Sequence, residues 1–208
     1  MLGDCHRVWF GGGLRAAGLR GTMGVPVDAP RTRFARLLAR RSLKEFGAGG
    51  PPVPIDELLR FYGLTLLQEA HARAWSGTLR GDCVVVNGSH PEARQRFTAA
   101  HELGHVRLGH TSLEPVCLGL EPDGKLPKRV MPADVVDAVY AERTRVQEIE
   151  ANEFAAELLA PRAWVRTAWR ELHSADRLAE RFEISRQAMW IAIMRAGCIR
   201  LVRERARF

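Results

Sequence analysis

Ser89-His90-Pro91-Glu92-Ala93-Arg94-Gln95-Arg96-Phe97-Thr98-Ala99-Ala100-His101-Glu102-Leu103-Gly104-His105 reads as the start and body of one helix. Ser89 and Glu92 have capping-box spacing, and Pro91 falls in the first turn, where proline is tolerated. The helix then runs through Phe97, Ala100 and Leu103 to about Gly109. His101 and His105 stand four apart, so both imidazoles lie on one face, one turn apart. That H-E-x-x-H arrangement lets one rigid element offer two nitrogens to a zinc ion. Glu102, beside the first histidine, is placed to take a proton from a water that such an ion acidifies. Gly104 costs the helix about 1 kcal/mol against alanine, which calls for a close approach by a ligand or another helix.

A zinc site needs a third protein ligand. The extended pattern H-E-x-x-H-x-x-G-x-x-H fails, because Leu108 and Thr111 occupy its glycine and third histidine positions. The segment Glu148-Ile149-Glu150-Ala151-Asn152-Glu153-Phe154-Ala155-Ala156-Glu157-Leu158-Leu159-Ala160-Pro161 offers a better source. Ala151, Phe154, Ala155, Leu158 and Leu159 form its buried stripe, and Glu148 and Asn152 share a face beside it. Glu150 points about 200° away from Glu148 on a regular helix. Glu148 is therefore the candidate ligand, with Glu150 the alternative. Asn152 is placed to hydrogen-bond a ligand histidine from behind. Tyr140 and His110 are candidates for an oxyanion or substrate contact.

Around this centre the chain reads as α+β, mainly helical, with a small β-sheet before the H-E-x-x-H helix. A helix is expected over Arg31–Phe46, with Phe34, Leu37, Leu38 and Leu43 as its apolar stripe and arginines opposite. A second helix follows at Ile55–Tyr62 and a strand at Leu64–Leu67. A hairpin turns near Arg80-Gly81, and its second strand, Asp82–Asn87, could offer an edge to an extended peptide. Residues 111–131 look loop-like. Helix resumes over Val135–Leu159, Trp164–Leu172 and Asp176–Gly197. The expected division is a flexible basic tail over 1–30, a zinc metallopeptidase domain over 31–162 and a helical subdomain over 163–208 packed on it.

The net charge is +7, and residues 1–50 carry nine Lys/Arg against three Asp/Glu, so the remainder is nearly neutral. A basic end of this kind is more simply a solvated arm than a nucleic-acid grip. The four cysteines, Cys5, Cys83, Cys117 and Cys198, fit no zinc-knuckle or disulfide scaffold and suit a reducing cytoplasm. No secretory signal is evident, and runs such as Cys83–Val86 are far too short to cross a bilayer.

The run Arg94–His105, followed by Glu148-x-Glu-Ala-Asn152-x-Phe-Ala-Ala-x-Leu-Leu-x-Pro161, resembles the ImmA/IrrE family of metallo-endopeptidases over roughly Phe34–Val202. The resemblance implies a gluzincin-like protease with one Zn²⁺ per chain, held by His101, His105 and Glu148, with Glu102 as catalytic base. It implies site-specific cleavage of a helix-turn-helix (Xre-type) repressor, releasing stress or mobile-element genes. Ala160 departs from the methionine frequent there, and no C-terminal sensor domain is expected.

Asp176–Trp190 itself resembles a helix-turn-helix, with Ser185 capping the second helix. Direct DNA binding would draw on Arg195, Arg200, Arg203, Arg205 and Arg207. Met189, Trp190, Ile191, Ile193 and Met194 leave few polar side chains to read bases, so packing on the protease and docking of substrate is preferred. The alternative for the whole chain is a DNA- or repressor-binding regulator without proteolytic activity.

Overall fold

The computed structural model describes residues 29–70, 75–110, 117–118 and 135–199, with 117–118 and 135–144 described by backbone alone. Their order is α1 (Thr32–Phe46), α2 (Ile55–Phe61), β1 (Thr65–Glu69), β2 (Trp75–Arg80), β3 (Cys83–Asn87), α3 (Glu92–Leu108), β4 (Cys117–Leu118), α4 (Val135–Leu159), α5 (Arg162–Leu172), α6 (Ala175–Phe182) and α7 (Arg186–Arg195). The fold is α+β and mostly helical. The tail expected over 1–30 lies almost wholly outside the described residues.

Two helices form the spine. α3 and α4 cross with Leu103, Phe154, Ala155 and Leu158 all buried between them. A Cβ added at Gly104 would stand 3.1 Å from Phe154 Cδ1 and 3.3 Å from both Cα and O of Ala151. The glycine thus lets the two backbones approach closely, and the small Ala151 faces it.

α1 lies along α4, but on a different face from the one its large apolar residues suggest. Ala35, Ala39, Ser42 and Leu43 are buried, whereas Phe34 and Leu37 are 46% and 58% exposed. Small side chains win the interface because arginines accompany them. Arg36 Nη1 meets Glu153 Oε2 at 2.7 Å, and Arg40 Nη1 meets Glu157 Oε1 at 3.2 Å. Glu157 is only 4% exposed, so its charge needs a partner at hand.

The sheet has the order β1-β3-β2-β4, with β1 parallel to β3 and the other neighbours antiparallel. Gly81, at φ 63°, carries the two-residue turn between β2 and β3. The strand β4 pairs Cys117 with Gly77 and Leu118 with Trp75, inside a stretch that reads as loop in the sequence. β3 is an interior strand, hydrogen-bonded on both sides, so it offers no edge to a peptide. Its near-continuous burial from Val84 to Asn87 is the mark of that position.

The capping box does not form. Pro91 is the residue before the first turn of α3, with no side-chain cap, and the Ser89 N–H donates to Asn87 Oδ1 at 3.0 Å. A second Asn87 bond, Nδ2 to the Trp75 carbonyl at 2.8 Å, ties the end of β3 to β2 instead.

α5, α6 and α7 share one contiguous core with the rest, through Val165, Leu178, Phe182, Met189 and Ile193. Ser185 caps α7, its Oγ accepting from the Ala188 N–H at 3.1 Å, and Ser174 caps α6 in the same way. Glu183 adopts the left-handed conformation between them, at φ 52°. Arg96 of α3 reaches that turn, its Nη1 3.0 Å from Glu183 Oε2.

Gly77 sets the seat of the sheet on α3, since an added Cβ would lie 2.4 Å from Thr98 Cγ2 and 2.7 Å from the Val85 carbonyl oxygen. Gly77→Ala is expected to destabilise the fold by on the order of 1–3 kcal/mol through overpacking. Gly88→Ala, whose Cβ would meet nothing closer than 3.7 Å, should leave the midpoint nearly unchanged. Thermal unfolding followed by circular dichroism reads both.

Candidate metal centre

His101 and His105 project from the middle of α3, both 4% exposed, toward the face of α4 that carries Glu148. Glu148 Oε2 lies 3.2 Å from His101 Nε2, and its Oε1 lies 3.2 Å from His105 Nε2. The two Nε2 atoms are 2.9 Å apart. One ligand atom from each of the three residues falls within 4.8 Å of the others. Of the two glutamates weighed from sequence, Glu148 is the one brought to the histidines.

The outer nitrogens of both rings are occupied. His101 Nδ1 lies 3.0 Å from Asn152 Oδ1. A carboxamide oxygen only accepts, so His101 donates from Nδ1 and turns a lone pair at Nε2 inward. His105 Nδ1 lies 2.9 Å from His110 Nδ1, and His110 Nε2 lies 3.1 Å from Glu150 Oε2. Glu150 also accepts from Arg31, from its backbone N–H at 2.6 Å, Nε at 3.1 Å and Nη2 at 2.9 Å. His110 therefore stands behind His105. Both of its nitrogens are engaged, with His105 and Glu150, and its side chain is 4% exposed. Tyr140 belongs to the stretch of α4 described by backbone alone.

A carboxylate about 3 Å from two imidazole nitrogens holds a positive charge among them, carried by protons on Nε2 when no metal ion is bound and by the ion when one replaces them. Burial opposes a charged His101, yet the bond and charge of Glu148, helped by Glu102, raise its pKa above the ordinary histidine value. Burial likewise opposes ionised Glu148, yet the hydrogen bonds from His101 and His105 hold its carboxyl far below the usual range. Glu150 is held at about 2: burial works against its charge, and the Arg31 bonds outweigh it. Burial pulls His110 below the ordinary histidine value, against the hydrogen bond and charge of Glu150. The three groups fit a divalent ion that takes nitrogen and oxygen ligands. Glu102, next to His101 on α3, is 2% exposed.

Arg31, and the pairing of Glu150 and His110 behind His105, escape the sequence reading. The signal available was Glu150, Glu153 and Glu157 at i, i+3 and i+7 beside the apolar stripe of α4, an acidic row that needs basic partners.

The family described as IrrE N-terminal-like domain, Peptidase_M78, matches residues 58–194. Among solved structures, a Mycobacterium tuberculosis transcriptional regulator superposes with a TM-score of 0.51 at 17% identity, over 76% of this chain and 45% of that one. The chain thus spans under half the length of that relative, and at this identity the likeness is one of fold. No curated protein matches the chain. Among the described residues, no helix is long and apolar enough to cross a membrane.

Metal analysis by mass spectrometry on the purified protein is expected to find about one divalent transition-metal ion per chain. His101→Ala and Glu148→Ala should each abolish it. Asn152→Ala should weaken binding by roughly 10–100-fold without removing the site.

Proposed function

We propose that this chain, which belongs to the IrrE N-terminal-like domain family, is a zinc-dependent, site-specific endopeptidase whose substrate is a helix-turn-helix repressor. The observation that carries this reading is the convergence of the two Nε2 atoms and the Glu148 carboxylate beside a buried Glu102. His101, His105 and Glu148 are the proposed ligands, and Glu102 the general base.

A zinc ion in that position supplies a Lewis acid that polarises a peptide carbonyl and acidifies water. The chain's own residues supply the rest. Glu102 follows a ligand in sequence and so is held within one residue of the reacting centre by a rigid helix. In its buried setting the carboxylate accepts the proton of the attacking water and passes it to the departing amine. Asn152 holds His101 in the tautomer that offers Nε2. We read residues 31–162 as the peptidase domain and 163–208 as a subdomain that helps seat the substrate. The free thiols of Cys83 and Cys198 suit the cytoplasm, where such a repressor works. The repressor controls stress or mobile-element genes in this reading.

A second reading, a regulator that binds DNA through α6 and α7, draws support from the Ser185-capped second helix. Against it, Trp190, Ile191 and Met194 stand 41%, 41% and 57% exposed on α7, where base-reading side chains would be needed. Arg200, Arg203, Arg205 and Arg207 lie outside the described residues.

Incubation with a helix-turn-helix repressor encoded beside the gene tests the proposal. Zinc-loaded wild type is expected to cut it at one bond. Glu102→Gln should keep its metal and lose at least about 10²-fold in cleavage rate, the scale of general-base catalysis. A stable complex with no cleavage by metal-loaded wild type would replace the protease with a sequestering partner.

A further inference from the structure

Arg31, Glu150, His110 and His105 form a single hydrogen-bonded line from the first residue before α1 to His105 Nδ1, the ring nitrogen that faces away from His101 and Glu148. Each link fixes the direction of the next. Arg31 only donates, and its guanidinium and backbone N–H both reach Glu150. The carboxylate of Glu150 only accepts, so the proton between Glu150 and His110 belongs to His110 Nε2. A neutral ring with its proton on Nε2 has a lone pair on Nδ1. The 2.9 Å contact between the two Nδ1 atoms then requires His105 to donate. His105 is left with its lone pair on Nε2, the nitrogen that faces His101 and Glu148.

We propose that Arg31, Glu150 and His110 are positioning residues that lock His105 in its ligating tautomer and ring orientation, so that the segment leading into α1 sets the metal affinity of a site on α3 and α4. The inference rests on the reading of His101, His105 and Glu148 as ligands. The arrangement is closed from solvent at its middle: the Glu150 side chain is 2% exposed and that of His110 4%. Water therefore does not stand in readily for a missing link. Asn152 does the same work for His101 in one step. For His105 the link runs through His110 to Glu150 and Arg31.

The test is titration of the metal-free protein with Co²⁺, read by its visible d–d absorption and by competition with a chromophoric chelator. His110→Phe keeps a ring in place and loses both bonds. Its Co²⁺ dissociation constant is expected to rise by roughly 10–100-fold, with an altered absorption band. His110→Asn returns an acceptor to the position of Nδ1, and should recover much of that loss. Glu150→Gln frees His110 to take either tautomer and should fall between them. A filler role in the fold would lower the unfolding midpoint of the metal-free variants and leave the dissociation constants alike. Wild-type affinity and spectrum in both His110→Phe and Glu150→Gln, with binding lost in His101→Ala, would overturn the inference and leave the ligand set standing. Absence of Co²⁺ binding by the wild type would overturn the ligand set and this inference together. Should His110→Phe not fold, the order of wild type, His110→Asn and Glu150→Gln decides the matter alone.

Discussion

The close approach of α3 to α4 at Gly104, against Ala151, is the constraint on which the centre depends. The histidines come from one helix and the carboxylate from the other, so the separation of the two backbones sets the distance between ligand atoms. Metal sites tolerate errors of about 0.2 Å in those distances. A side chain at position 104 would shift its neighbours by a few tenths of an ångström, which is the same scale. The helix therefore carries a residue that weakens it locally by about 1 kcal/mol, and Leu103, Phe154, Ala155 and Leu158 offset the loss by burial on either side.

Charge organises the second packing layer. α4 carries Glu148, Glu150, Glu153 and Glu157 within three turns, and each finds a different partner. Glu148 turns inward to the histidines, and Glu150 to His110 and Arg31. Glu153 lies between Arg36 and Arg195, at 2.7 and 2.5 Å, and Glu157 accepts from Arg40. A helix with so many half-buried carboxylates would be costly to fold without matching cations. The basic excess of the first fifty residues is thus partly structural. Arg31, Arg36 and Arg40 hold α1 on α4, and the first of them also ends the line that reaches His105.

The central helix, the apolar stripe of α4 and the position of Glu148, not Glu150, beside the two histidines are legible, because each follows from helical periodicity acting on a few residues. The hairpin, the Ser185 cap and the stop at Pro161 were legible from turn and cap chemistry. What periodicity could not reach was tertiary. Phe34 and Leu37 look like the buried face of α1, but the face was decided by arginines whose partners lie more than a hundred residues away. Ser89 and Glu92 have capping-box spacing, but Asn87 claimed the Ser89 N–H for the end of the sheet. Asp82–Asn87 looked like an available edge, since nothing in its own residues says that β1 would pair on its far side. His110 was visible as a residue near the centre. Its place behind His105 depends on Arg31 and Glu150 meeting across the fold.

The last element to place is α7. A reading helix for DNA must be free to enter a groove and must present polar groups there. α7 is held at both ends instead. Arg195 is 2.5 Å from Glu153 of α4, and Arg96 of α3 holds the Glu183 turn before its first residue. These are the same two helices that carry the histidines and the carboxylate. Between those anchors the outward side offers Arg186 and Gln187 in its first turn and then Trp190, Ile191 and Met194, and the latter three suit contact with an apolar protein surface. A partner seated on α7 would rest on an element that shares one core with α3 and α4, so its position relative to the two histidines would be set by the fold and not by a linker.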